Sequence, residues 1–185
     1  AAAVLVGSVA ADKLADEAKG MGLAPIPQDT AALYKLIDNP DNPINPAKVE
    51  LGKKLYFDPR LSKSGLISCN TCHNLATGGV DGVAAAIGHQ WTANPHHLNS
   101  PTVYNAVFAE KQFWDGRDPH LEAQAQGPMQ AAPEMAAAPE HVAAVVNSMP
   151  EYVRAFRHAY RNQTMKPTFK DIADVIASFE RTLVT

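Results

Sequence analysis

Cys69-Asn70-Thr71-Cys72-His73 contains the only two cysteines of the chain and ends on a histidine. C-x-x-C-H is the spacing of a c-type haem attachment site. Two thiols one helical turn apart reach the two vinyl groups on one edge of a porphyrin. The adjacent imidazole then falls beneath the ring, where it ligates the iron. Two rival readings are weaker. Structural zinc needs two further ligands, which His89 and His96 could supply, but their separation exceeds the usual histidine spacing and His73 would stand idle. A thioredoxin-like redox pair needs a βαβ setting, and no strand–helix alternation surrounds it.

Outward from the motif, the sequence reads as helices joined by long loops. Ser62–Ser68 leads in, and the motif opens a short helix. On the N-terminal side, Asn45 caps a helix with Pro46 at its first position, and Val49, Leu51, Leu55 and Tyr56 give it an apolar face. Asn39–Pro46 is a turn-rich linker. Thr30–Ile37 is helical, Leu23–Pro27 extended, and Asp12–Lys19 a helix stopped by Gly20. On the C-terminal side, Thr77–Gly88 is a glycine-rich loop carrying His89 and Trp91. Ser100-Pro101 starts a short helical run to Phe108, and Asp118-Pro119 opens a helix through Gln126 that Gly127-Pro128 ends. Pro139–Asn147 and Pro150–Arg161 are helices. Thr168-Phe169-Lys170-Asp171 is a capping box, followed by an apolar stripe at Ile172, Val175, Ile176, Phe179 and Leu183. No alternating strand is visible. The expected class is all-α: a cytochrome c-like haem domain over 46–185 with long loops, preceded by an extension and linker over 1–45.

Composition narrows the function. The net charge of -3 and the lack of a long basic run argue against nucleic acid as a partner. No stretch approaches the roughly 18 apolar residues of a membrane span. Covalent haem attachment takes place outside the bacterial cytoplasm, so a periplasmic location is expected. Residues 1–10 read either as a signal-peptide remnant, with Ser8-Val9-Ala10 a small-x-small cleavage site before Ala11, or as an ordered extension.

With His73 on one side of the iron, the sixth ligand decides the chemistry. A methionine suits electron transfer, a histidine lowers the potential, and a displaceable ligand admits peroxide. By residue type the candidates are the five methionines and the histidines other than His73. His89 stands out because its glycine-rich loop gives it room to reach over the ring and to leave it. Residues alone leave this choice open.

Longer strings resemble the bacterial di-haem cytochrome c peroxidases. LGKKLYFDPRLSKSGLISCNTCHNLATGGVDG (51–82) is similar to that family's peroxidatic-haem segment nearly residue by residue. IGHQW (87–91), NSPTVYNAVF (99–108), QFWDGR (112–117) and FERTLVT (179–185) match in order. The resemblance implies reduction of hydrogen peroxide to water at one haem c held by Cys69 and Cys72. It implies His73 as proximal ligand and His89 as a displaceable distal one. It further implies Gln124 as the group that orients peroxide and Glu134 as the general acid–base. From the residues alone, Glu134 reads more simply as a carboxylate at a helix N-terminus. The resemblance also places Trp114 on an electron route between two haems, and makes Asn99 a ligand of an interdomain calcium whose other ligands lie elsewhere.

In the family a second haem domain, with its own C-x-x-C-H, receives electrons from a small cytochrome c or cupredoxin. These 185 residues contain one such motif. Peroxide cleavage takes two electrons, one of them from the second haem, so this segment alone is expected to turn over poorly and its exposed face to pair with a second copy. A single-haem electron carrier is the alternative. In the related methylamine-utilisation oxidases a tyrosine replaces the distal histidine, and His89 argues against that branch.

Overall fold

The computed structural model describes residues 12–185; the signal-peptide reading of 1–10 lies outside them. The chain divides into two compact units, one ending at Leu33 and one spanning Tyr34–Thr185. In the first, α1 covers 12–20 and α2 begins at Thr30, ending at Leu36. The stop of α1 is Gly22 rather than Gly20. Gly22 takes φ +82°, while the Leu23 N–H donates to the Ala18 carbonyl and the Gly22 N–H to that of Lys19. This Schellman closure uses a left-handed residue that only glycine adopts without strain.

The second unit is built on α3 (Pro46–Tyr56), α8 (Pro150–Ala159) and α9 (Phe169–Glu180). Asn45 caps α3 by accepting from the Lys48 N–H at 2.9 Å, and its amide donates to the Ala159 carbonyl at the end of α8 at 3.2 Å. One side chain thus fixes two helix ends. α9 starts at the expected Thr168–Asp171 capping box. α3 and α9 cross at Gly52, where a Cβ would run into the Val175 carbonyl. Tyr56, Leu55, Ile172, Val175 and Ile176 are buried at this crossing, with Tyr56 edge-on to Phe179 at 5.3 Å.

A buried polar network ties 37–48 to α9. The Arg181 guanidinium donates to the carbonyls of Ile37 and Asn42 and lies 3.3 Å from the Glu122 carboxylate. The Asn42 amide donates to Glu122, Ser178 and the Asp174 carbonyl, and Lys48 donates to Asn42 Oδ1 at 2.8 Å. Lys48, Glu122 and the Arg181 terminal nitrogens therefore have polar partners, as burial demands.

Around this core lie the short helix α4 (Cys69–Cys72), then α5 (Leu121–Gln124), α6 (Gln126–Gln130) and α7 (Pro139–Asn147). Two expectations change here. Residues 101–105 are not helical; only Ala106–Phe108 forms a single 3-10 turn. The helix expected from Asp118 begins at Leu121, capped by His120, breaks at Ala125, and resumes through Gly127 and Pro128 to Gln130. Pro128 is tolerated because it sits in the first turn of α6, where backbone N–H groups lack intrahelical partners anyway. Among the described residues the only β pairing is two isolated bridges, Ile87 with Ala93 and Gln112 with Asp118. The all-α expectation holds.

Candidate functional site

α4 is a single turn, so Cys69 and Cys72 at i and i+3 project from one face. The turn is pinned at its start by the Ser68 N–H donating to Thr71 Oγ1 at 3.0 Å. At its end the His73 N–H donates to the Cys69 carbonyl, and the His73 carbonyl accepts from the buried Tyr56 hydroxyl at 2.7 Å. His73 Nδ1 lies 2.9 Å from the Pro101 carbonyl oxygen. A carbonyl only accepts, so Nδ1 carries the proton and Nε2 presents its lone pair. Both cysteines are unpaired thiols. Burial pushes both thiol pKa values up, that of Cys72 to about 11 with help from the nearby Asp81 and Glu134. They therefore stay protonated near neutral pH, and Cys72 Sγ donates weakly to the Ile87 carbonyl at 3.4 Å.

Cys69, Cys72 and His73 line one wall of a cleft whose other walls carry Gln124, Glu134 and Trp114. α5 supplies Gln124. Glu134 sits in the tight turn after α6, where its N–H donates to the Ala131 carbonyl and Met135 bonds to Pro128 and Lys63. Burial raises the Glu134 pKa above the usual carboxylate range, and the Arg117 guanidinium opposes that rise. Arg117 is itself held by Asp115 at 2.9 Å and by the Phe113 ring, 3.4 Å from its centroid.

The other residues singled out by sequence lie at or beyond the rim. Trp114 is 67 % exposed while lining the cleft, and its indole N–H donates to the Asn99 carbonyl at 3.0 Å. The Asn99 amide donates to the Val83 carbonyl. His89 is not among the cleft-lining residues; its ring is partly buried and Nδ1 has no partner. Its loop is nevertheless seated on the wall that carries Glu134, because a Cβ on Gly88 would strike the Pro133 carbonyl and the Glu134 backbone. His96, His97, His141 and His158 are exposed, and Met149 and Met165 pack on the core.

These residues fit a c-type haem. Two protonated thiols on one face, an imidazole with Nε2 free and an apolar lining that includes Ile67, Val103, Met129 and Ile176 match what a porphyrin edge, its iron and its faces require. The zinc reading is not assembled: among the described residues no three His, Cys, Asp or Glu side chains gather around a common point. Sequence reasoning missed three contributors. Pro101 and Tyr56 act through the backbone and a hydroxyl, for which sequence carries no signal. Glu180 lines the cleft and did leave a signal: it continues Ile172 and Ile176 at i+8 on an apolar stripe where a charge is out of place.

Residues 46–185 match the family described as di-haem cytochrome c peroxidase. The cytochrome c551 peroxidase of Pseudomonas aeruginosa is 47% identical over 175 residues, covering 95% of this chain and 48% of that protein. That of Nitrosomonas europaea is 48% identical over 77% of this chain and 42% of that protein. The methylamine utilization protein MauG of Methylorubrum extorquens is 38% identical over 85% of the chain and 46% of its own length. A solved MauG-like protein associated with microbial copper homeostasis superposes with a TM-score of 0.73 at 28% identity, covering 80% of this chain and 44% of its own. The chain thus spans about half the length of the relatives it matches.

Proposed function

The chain belongs to the di-haem cytochrome c peroxidase family, and from that premise we propose that it forms the peroxidatic haem domain, reducing hydrogen peroxide to water. The observation that carries the reading is one cleft shared by an attachment motif and a buried acid: Cys69, Cys72 and His73 on one wall, Glu134 and Gln124 on others. A c-type haem bound there supplies a redox-active Lewis acid for peroxide.

The protein groups do the rest. Cys69 and Cys72 would hold the haem as thioethers, and His73 would ligate its iron through Nε2. The Gln124 amide orients peroxide by hydrogen bonding. Glu134 takes the proton from the attacking peroxide oxygen and returns it to the departing one, a transfer helped by a pKa raised toward the working pH. His89, on its loop against Glu134, would be a displaceable second histidine for the iron. Trp114, exposed at the cleft rim, is the entry for electrons relayed by a second haem domain from a small cytochrome c or cupredoxin in the periplasm. Asn99, bonded to Trp114 through its carbonyl, contributes to a calcium site at that same face, and the face also suits pairing with a second copy. Among the described residues no helix is long and apolar enough to cross a membrane.

One observation favours a second reading. Met129 and Met135 are buried and line the cleft, so either could supply a thioether ligand and make the domain an electron carrier. Mixing the ferrous, haem-loaded protein with peroxide in a stopped-flow spectrometer separates the two. The peroxidase reading expects rapid reoxidation that Glu134→Gln slows at least about a hundredfold. A peroxide-inert protein with a thioether–iron charge-transfer band would establish the carrier.

A further inference from the structure

One acidic side chain in the cleft is left unused by the proposed chemistry. Glu180, the last residue of α9, is 6 % exposed and lines the cleft, and its Oε2 is buried without a hydrogen-bond partner. The groups facing it are few. α3 brings Tyr56, α4 brings Cys69 and α5 brings Glu122. α6 carries no titratable residue, and Glu140 and His141 of α7 are exposed. Arg181 follows in the chain but turns its guanidinium to Ile37, Asn42 and Glu122.

Every feature of this setting disfavours a carboxylate. Burial removes hydration. The C-terminal end of α9 presents the negative end of its dipole. Glu122 adds a like charge, and burial with that charge pushes the Glu180 carboxyl up to about 8. A positive charge beside it reverses that balance, and a c-type haem on Cys69 carries one more positive charge when oxidised than when reduced.

Building on the haem reading above, we infer that Glu180 is a redox-linked proton site, taking up one proton from solvent when the haem beside it gains one electron. The electron comes from a one-electron donor of the cytochrome c or cupredoxin class. The carboxylate becomes the neutral acid as the iron loses one unit of charge, so the total charge of the cleft is unchanged, and reoxidation reverses both transfers. Reduction is thereby favoured at lower pH.

The test is a spectroelectrochemical titration of the haem-loaded protein across pH, paired with redox-difference infrared spectra. In the wild type the midpoint potential falls as pH rises, by at most about 59 mV per pH unit, the one-electron equivalent of a tenfold change. A protonated-carboxyl band grows on reduction. Glu180→Gln flattens the slope and removes the band, while Glu180→Asp keeps a slope in a displaced window. A slope unchanged in Glu180→Gln, or a wild-type spectrum without the carboxyl band, overturns the inference. The wild-type band decides alone if the variant fails to load haem. A loaded protein with a pH-independent potential overturns this inference only, whereas a protein without covalent haem overturns the haem reading and this with it.

Discussion

His73 Nδ1 is bonded at 2.9 Å to the carbonyl of Pro101, a residue 28 positions downstream. That single bond fixes the tautomer of the ring and leaves Nε2 as the nitrogen with a lone pair. Such partners of a ligating histidine typically matter by about 10–100-fold in affinity or activity.

His73→Gly is therefore expected to keep both thioether links but lose imidazole ligation and peroxide reactivity. Added imidazole should restore ligation only partly, because a free ring lacks the constraint from Pro101. Intact mass and the optical spectrum with and without imidazole check this.

Glu134 must be ionised to accept a proton, and burial holds its pKa above the usual carboxylate range. The rate constant kcat/KM for peroxide should fall as pH drops through that raised value. Glu134→Gln should lower it by about 10²–10⁴-fold and abolish the acidic limb. Arg117 lowers the Glu134 pKa, so Arg117→Gln should move the limb to higher pH. A limb that stays put in Arg117→Gln would show that another group sets it.

The α3–α9 crossing leaves no room at Gly52, where the obstacle is the backbone carbonyl of Val175. A carbonyl in a helix cannot rotate away as a side chain can. Gly52→Ala is expected to cost at least about 3 kcal/mol, the upper end of overpacking penalties, in chemical denaturation.

Arg181 and Glu122 form an ion pair with side chains only 3% and 6% exposed. Removing one partner strands the other charge. Arg181→Met should destabilise by about 3–5 kcal/mol, and adding Glu122→Leu should recover a large share of that loss. A double-mutant cycle measures the coupling; additive losses would mean that the backbone contacts of Arg181, not the pair, hold 37–48 in place.

How much of this was legible beforehand depended on the range of the interaction. C-x-x-C-H, the Asn45 cap and the Thr168–Asp171 box were readable because their partners lie within four residues. The run from Ser100 is not helical because its backbone is claimed from afar: the Pro101 carbonyl serves His73, and the Asn105 N–H donates to the Leu183 carbonyl at 2.8 Å. Gly127-Pro128 is not a helix stop because α5 breaks one turn earlier, which makes the pair part of the first turn of α6 rather than the end of α5. At the site, residue types named Cys69, Cys72 and His73 outright. Glu134 and Gln124 needed the family resemblance, since nothing local in APEM or EAQAQ says that the fold brings them to one cleft. Glu180 is legible only as a charge out of place on the apolar stripe of α9.

The most direct test of the account is the intact mass of the denatured protein from its native cells, taken with its haem spectrum. Haem should survive denaturation, linked through both Cys69 and Cys72, with a peptide map placing it on CNTCH. Haem that dissociates on denaturation, or a colourless protein with two free thiols, would contradict the account at its foundation.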